Sequence, residues 1–447
     1  MRKYWPISEF LSNELGDVHL IRLTTPAHRN NSSLPEFLNN LSTQGVEFID
    51  TPYIPKDVWE ESESVAASYY DTAMTYYFPG GTSYAVIAGL HAAFSHNDNI
   101  LVARNIHQSV LSALIMIDAN LQWICPESPW FIYDAAQVEK ALIDDPSITG
   151  VVLSNPSYEG HCSDIATIAK ICKKYKTKLI VDESLGAHWI GWKAFPKSAI
   201  QHGADLVFHS LHKRVGSLVP ASLLHVPKES VLDFGLIKQC AKIFRSTSPS
   251  NLVLASTEMC IMRHFTDAAL SHAIDLVVFV NELRDETRTF QHESISSIPI
   301  ECQEPLVVHF IPRRGCPAEL ADIMYNRGFD YEHVDTRGLI YFVSPQESST
   351  SFASFRENFQ KAIIDLVNQP SKLFCYVKPN IVMRPLDALR SHSQTILLSE
   401  QEIGRVSADL VGACPPGIPI LMPGEEISSW HCSMLSEKRI RIVRDRL

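Results

Sequence analysis

Residues 204–215 read ADLVFHSLHKRV. The opening positions form a short, largely apolar run that suits a buried strand. It closes in polar residues, and Lys213 stands just beyond Ser210 and His212. A lysine so placed is either a solvated loop residue or an amine held for Schiff-base chemistry. The flanking sequence has to separate the two.

Upstream, NILVAR (99–104), LQWIC (121–125), GVVLSN (150–155) and KLIVDE (178–183) also read as buried strands, with DLVFHS (205–210) as the next. Stretches with helical spacing, such as DIATIAKICKKY (164–175), lie between them. Near-continuous apolar strands separated by helices predict a mostly parallel α/β sheet. Ligands of such sheets collect beyond the carboxyl ends of the strands. Ser154 and Asn155 end one strand, Asp182 and Glu183 the next, and Ser210 to Lys213 a third.

That edge carries parts for pyridoxal phosphate chemistry. Asp182 can keep a pyridine nitrogen protonated, which the cofactor needs as an electron sink. The turn PGGTS (79–83) precedes the helical stretch YAVIAGLHAAF, so free amides and hydroxyls face an incoming phosphate. His107, in RNIHQSV after a strand, can stack on a ring. Each feature alone has a bland alternative: a plain turn, a loop histidine, a surface lysine. Their order along the chain favours the catalytic set.

The chain divides into an arm (1–50), a large α/β domain (51–299) and a smaller α+β domain (300–447). KDVWEESESVAASYYDTA (56–73) has helical spacing, and ACPPGIPILMPGEE (413–426) is a Pro- and Gly-rich tail expected to fold back over the body. The 447 residues, 45% hydrophobic and 20% charged, are enough for a full core, and a net charge of −11 argues against nucleic acid or an anionic membrane as partner. Ten scattered cysteines without ligand spacing point to no metal and a reducing compartment. No run is long and apolar enough to span a bilayer, and MRKYWPISEF lacks a signal-peptide core. A cytoplasmic protein is expected.

The chain resembles the Orn/Lys/Arg decarboxylase family of pyridoxal phosphate enzymes, which has the aminotransferase-like fold. The matching segments are ARNIHQSVLSAL, SNPSYEGHCSDIATIAKICKKY, LIVDESLGAHW, AFPKSAIQHGADLVFHSLHK, STSPSNLVLAS and PPGIPILMPGE, in order over most of residues 75–426. The resemblance implies that Lys213 forms the Schiff base, Asp182 pairs with the pyridine nitrogen and His107 stacks on the ring. It implies that Gly81, Thr82 and Ser83 cradle the phosphate with help from Ser210 and His212. Thr247 and Ser248 would reach a neighbouring subunit's phosphate in a homodimer with shared sites. Thr25 and His28 of the arm, with Ser184 and Arg384, would face a small basic amino acid.

The chain departs from the family pattern on what reads as the substrate side. DESLGAH places Ser184 for Ala and Leu185 for His; Leu211 stands for Thr; RPLDA places Leu386 at an Arg position and brings a new Arg384. The resemblance implies α-decarboxylation of a basic amino acid, and the departures Leu185, Leu386 and Arg384 point to arginine or a modified arginine rather than lysine or ornithine. The departures raise an alternative: proton abstraction, elimination and cyclisation of a hydroxylated arginine. Glu159, Glu183 and Asp387 are candidate partners for a guanidinium.

Overall fold

The apolar runs are strands of one sheet. The computed structural model describes residues 21–23, 56–126, 130–366, 376–412 and 417–444. Strand β1 (Ile21–Leu23) lies in the arm. β2 (Thr72–Phe78), β3 (Asn99–Ala103), β4 (Asn120–Ile124), β5 (Ile148–Ser154), β6 (Lys178–Asp182), β7 (Leu206–Ser210) and β8 (Ser222–Pro227) form a seven-stranded sheet in the order β2-β8-β7-β6-β5-β3-β4. All its neighbours pair in parallel except β8, which is antiparallel to both β2 and β7. Leu179, Ile180, Val181, Leu206 and Val207 are fully buried. Helices on both faces demand that, and it explains why these strands read as unbroken apolar runs. This is the aminotransferase-like fold expected of the sequence.

Two strands of this sheet, β2 and β8, escaped the sequence reading. The helical pattern from Lys56 stops at Tyr70, and Asp71, with φ 55°, turns the chain straight into β2. No glycine or proline marks that junction. β8 follows the loop that carries Pro220.

The chain order of the strands reverses between β3 and β5. From β3 the chain steps outward to β4, then returns to β5 and continues through β6 and β7 on the other side. Crevices at such a switch point are the usual ligand sites of doubly wound sheets. In register, Ser154 lies beside Asp182 and Asp182 beside Phe208.

Residues 300–447, expected as a single small domain, contain two separate cores. One joins β9 (Val307–Phe310), β11 (His333–Asp335) and β12 (Gly338–Phe342) to the helices Asp267–Thr287, Pro317–Asn326 and Ser349–Ile364, around Phe310, Tyr341, Phe352, Phe355 and Phe359. This core therefore begins before residue 300. β10 (Phe329–Tyr331) pairs in parallel with β1, which anchors the arm here. The other core, with Leu398, Leu421, Ile427, Leu435, Ile440 and Ile442, belongs to a C-terminal unit built on β13 (Ser393–Leu397), β14 (Val411–Gly412), β15 (Pro419–Leu421) and β16 (Arg439–Val443).

Arg104 fastens that unit to the sheet. Its Nε donates to the Val377 carbonyl (3.0 Å), Nη1 to Pro419 (2.7 Å) and Nη2 to Ile420 (3.2 Å). Its guanidinium also lies 4.8 Å from the centre of the Tyr376 ring.

Candidate active site

β7 ends at Ser210 and the chain enters the short helical turn Leu211–Arg214. Leu211 and Arg214 are fully buried and pin this turn; Arg214 Nη2 donates to Glu304 Oε2 at 3.1 Å. The half-buried Lys213 projects from it, and among the described residues its amine makes no hydrogen bond or ion pair.

Asp182 closes the neighbouring strand. Its Oδ1 accepts from the Ser184 amide (3.1 Å) and hydroxyl (2.5 Å), while Oδ2 accepts nothing among the described residues. Ser184 thus fixes the carboxylate and leaves one oxygen for a ring N–H.

His107 follows β3 and caps the helix Gln108–Ile117. The Ser109 amide donates to Nδ1 at 3.1 Å, which places the proton of the neutral ring on Nε2. Burial, and then the positive charge of Lys213, hold its pKa below the ordinary histidine value; Asp182 pulls the other way. Those two influences show that the three residues lie within electrostatic reach, so the sheet edge brings together what the sequence scattered.

The phosphate end is equally built. Gly81, with φ +94°, is the N-cap of the helix Thr82–Ala93, and no side chain caps that terminus. Thr82 Oγ1 is buried and has no partner among the described residues. A buried orphan hydroxyl beside free helix amides fits a phosphate dianion. Ser83 is exposed at the same turn and Ser210 is fully buried. His212 Nδ1 lies 3.0 Å from the Ala221 carbonyl, to which it must donate, and Ser210 Oγ lies 3.4 Å from His212 Nε2. Pro220, one residue earlier, packs against Gly81. The loop before β8 therefore ties the phosphate turn to the lysine turn, and together these groups suit pyridoxal phosphate.

Other expected residues fall elsewhere. Arg384 donates to Asn97 Oδ1 (2.8 Å) and pairs with Asp118 (3.0 Å). Both partners precede strands β3 and β4, at the amino edge of the sheet. A five-residue strand, about 16 Å long, separates that edge from His107. This chain's Arg384 thus ties the C-terminal unit to the body instead of facing its own Lys213. Leu386 packs into the main core. Of the carboxylates offered to a guanidinium, Glu159 is engaged by Arg337 (2.6 Å) and Glu183 by His209 (2.8 Å), whereas Asp387 is exposed beside Arg384. Thr247 and Ser248 are exposed beyond the helix Phe234–Phe244, outside the cluster. Thr25 and His28 lie outside the described residues.

The sequence reading missed Glu304. Burial would raise its pKa, but Arg214 and then His188 outweigh that and hold it near about 2. It accepts from His188 Nε2 (2.8 Å) and the Leu306 amide (2.8 Å) as well as from Arg214, and so joins the lysine turn to the smaller domain. The only local signal was an arginine directly after the lysine.

A family model described as Orn/Lys/Arg decarboxylase, major domain, matches residues 37–362, and the C-terminal domain of that family matches 368–436. An arginine decarboxylase of Bacillus subtilis (strain 168) is 26% identical over 444 residues, covering 93% of this chain and 90% of that protein. One from Bacillus cereus is 28% identical over 403 residues, covering 84% and 85%. Among solved structures, lysine decarboxylase A from Pseudomonas aeruginosa superposes with a TM-score of 0.70 at 17% identity, over 96% of this chain and 77% of that one.

Proposed function

The chain belongs to the Orn/Lys/Arg decarboxylase family, and we propose that it releases the α-carboxyl group of arginine as carbon dioxide and leaves the amine. The observation that carries this reading is the convergence at the carboxyl edge of the sheet of a neutral His107 with a Lys213 amine and an Asp182 oxygen that have no partner among the described residues. Pyridoxal phosphate, the cofactor of this family, supplies an electron sink for the pair of electrons left when a bond to the α-carbon breaks. Lys213 would hold it through the amine. Asp182 would keep a proton on the ring nitrogen, with Ser184 steadying the carboxylate. His107 would offer its ring as a stacking surface. The Gly81–Ser83 turn, with Thr82 Oγ1 foremost and Ser210 and His212 behind, would take the phosphate. The exposure of Thr247 and Ser248 suits a role in a partner's phosphate site within a homodimer. The Bacillus relatives, matched over most of their length and named arginine decarboxylases, support arginine as the substrate.

A second reading keeps the cofactor residues but loses water, not carbon dioxide, from a hydroxylated arginine and closes a ring on the guanidine. One observation favours it. Leu185, next to Ser184, is buried among Val307, Ile340 and Phe342 where the family pattern carries an imidazole. Arg384 no longer adds to it, because this chain's Arg384 pairs with Asp118 at the opposite edge of the sheet.

One experiment separates the readings. Purified holoenzyme is incubated in deuterated water with arginine, lysine, ornithine and hydroxylated arginine, and products are followed by mass and NMR. Carbon dioxide from arginine, with one deuteron at the former α-carbon, supports decarboxylation. A product that keeps its carboxylate and has lost water supports the second reading. Lys213→Ala must abolish either.

A further inference from the structure

The C-terminal unit reaches the cofactor histidine directly. The Gln108 amide, first in the helix that His107 caps, donates to the Gly417 carbonyl at 2.8 Å. Gly417 has φ +76°. A Cβ built on it would stand 2.5 Å from His107 Nε2 and 2.6 Å from Cδ2. The Gly417 α-carbon is therefore seated against the Nε2–Cδ2 edge of the imidazole. The opposite edge is also held: Nδ1 accepts from the Ser109 amide at 3.1 Å and lies 2.8 Å from Ser109 Oγ. A ring clasped at both edges cannot swing away from an added methyl group without breaking its cap.

From this contact we infer that Gly417 is a positioning residue for His107, through which the C-terminal unit sets the tilt of the ring that the cofactor meets. The inference rests on the assignment of His107 to the cofactor ring made above. Gly417 touches no reacting atom; it acts through the imidazole. Two requirements converge on glycine here, a left-handed backbone and a missing β-carbon.

A control separates those requirements. Gly404 lies in the same unit with φ +87°, and nothing stands within 4 Å of a Cβ built there. Gly404→Ala therefore imposes the backbone strain without the collision. The probe is pyridoxal phosphate itself, titrated into apo-protein, with cofactor affinity and the visible circular dichroism of the bound form as readouts. Gly417→Ala should weaken cofactor binding by about tenfold and alter the dichroism, while Gly404→Ala stays within about twofold of the parent protein. In a His107→Ala background, where no imidazole is left to displace, Gly417→Ala should add less than about twofold.

Equal behaviour of Gly417→Ala and Gly404→Ala would overturn the inference, as would an effect of Gly417→Ala that persists undiminished without the imidazole. If Gly417→Ala does not fold, the double variant with His107→Ala should fold again, and failure to do so counts against the inference. The parent assignment fails separately: it falls if His107→Ala alone leaves both affinity and dichroism unchanged.

Discussion

Arg214 and Glu304 meet across 3.1 Å with both side chains wholly buried, and they join the turn bearing Lys213 to the strand entry of the smaller domain. The pair is not isolated. His188 Nε2 donates to the same carboxylate, and Arg284 grips the Glu304 main-chain carbonyl at 2.7 Å. Taking one charge from a buried pair strands the other in a medium that solvates it poorly.

Glu304→Gln should therefore lower stability at neutral pH by about 3–5 kcal/mol, measured by urea unfolding of the apo-protein. Glu304 is held down near about 2, so its contribution is complete above the unfolded carboxylate value and is lost as pH falls toward 2. His188, lowered to about 4 chiefly by burial and then by Arg214, contributes fully above the ordinary histidine value and loses that contribution as pH falls to 4. Stability of the parent protein should thus decline in two stages on acidification, and Glu304→Gln should remove the lower one.

Asp182→Asn should reduce turnover by about 100-fold or more while the apo-protein unfolds at nearly the same temperature. The amide can still accept from Ser184, so the local hydrogen bonds survive. It cannot supply the negative charge that keeps a ring nitrogen protonated. Near-normal turnover in the variant would refute the role given to Oδ2.

Thr82→Val should act on the cofactor and spare the fold. It replaces a buried hydroxyl that has no partner among the described residues by an isosteric methyl. A hydrogen bond to a charged group contributes about 1.5–3 kcal/mol, so the dissociation constant for pyridoxal phosphate should rise by about 10- to 100-fold. Thermal unfolding of the apo-protein should not fall, because no internal hydrogen bond is lost.

If Thr247 and Ser248 serve a partner's phosphate site, two inactive proteins should rescue one another. One carries Lys213→Ala, the other Thr247→Ala with Ser248→Ala. Mixed and allowed to exchange subunits, they should regain part of the activity, since half of the sites in each mixed dimer are intact. Light scattering that shows a fully active monomer at assay concentration would refute the shared site.

The gathering of Lys213, Asp182 and His107 at one edge was legible because each combines a polar side-chain type with the end of an apolar strand. Strand ends are a property of local sequence, and sheet topology brings them to one edge. The place of Arg384 was not legible for the converse reason. A short motif gives a position along the chain but no depth, and Arg384 meets Asp118 at the opposite edge. Arg104 read only as the polar end of the strand NILVAR (99–104). Its burial depends on carbonyls 273 to 316 residues away, which no local pattern encodes. Glu304 and Gly417 were hidden likewise, because their partners are assembled only when the three cores close.

Besides its contact with the Tyr376 ring, Arg104 grips the C-terminal unit by hydrogen bonds to main-chain oxygens, those of Val377, Pro419 and Ile420. Every residue type offers the same oxygen. The attachment is therefore indifferent to which side chains occupy those positions and sensitive to their spacing along the chain. A substitution at Ile420 leaves the acceptor in place, whereas one residue inserted between Pro419 and Ile420 would move it out of the fork. For anyone redesigning this region, Arg104 leaves composition free at Val377, Pro419 and Ile420 but not the spacing between them.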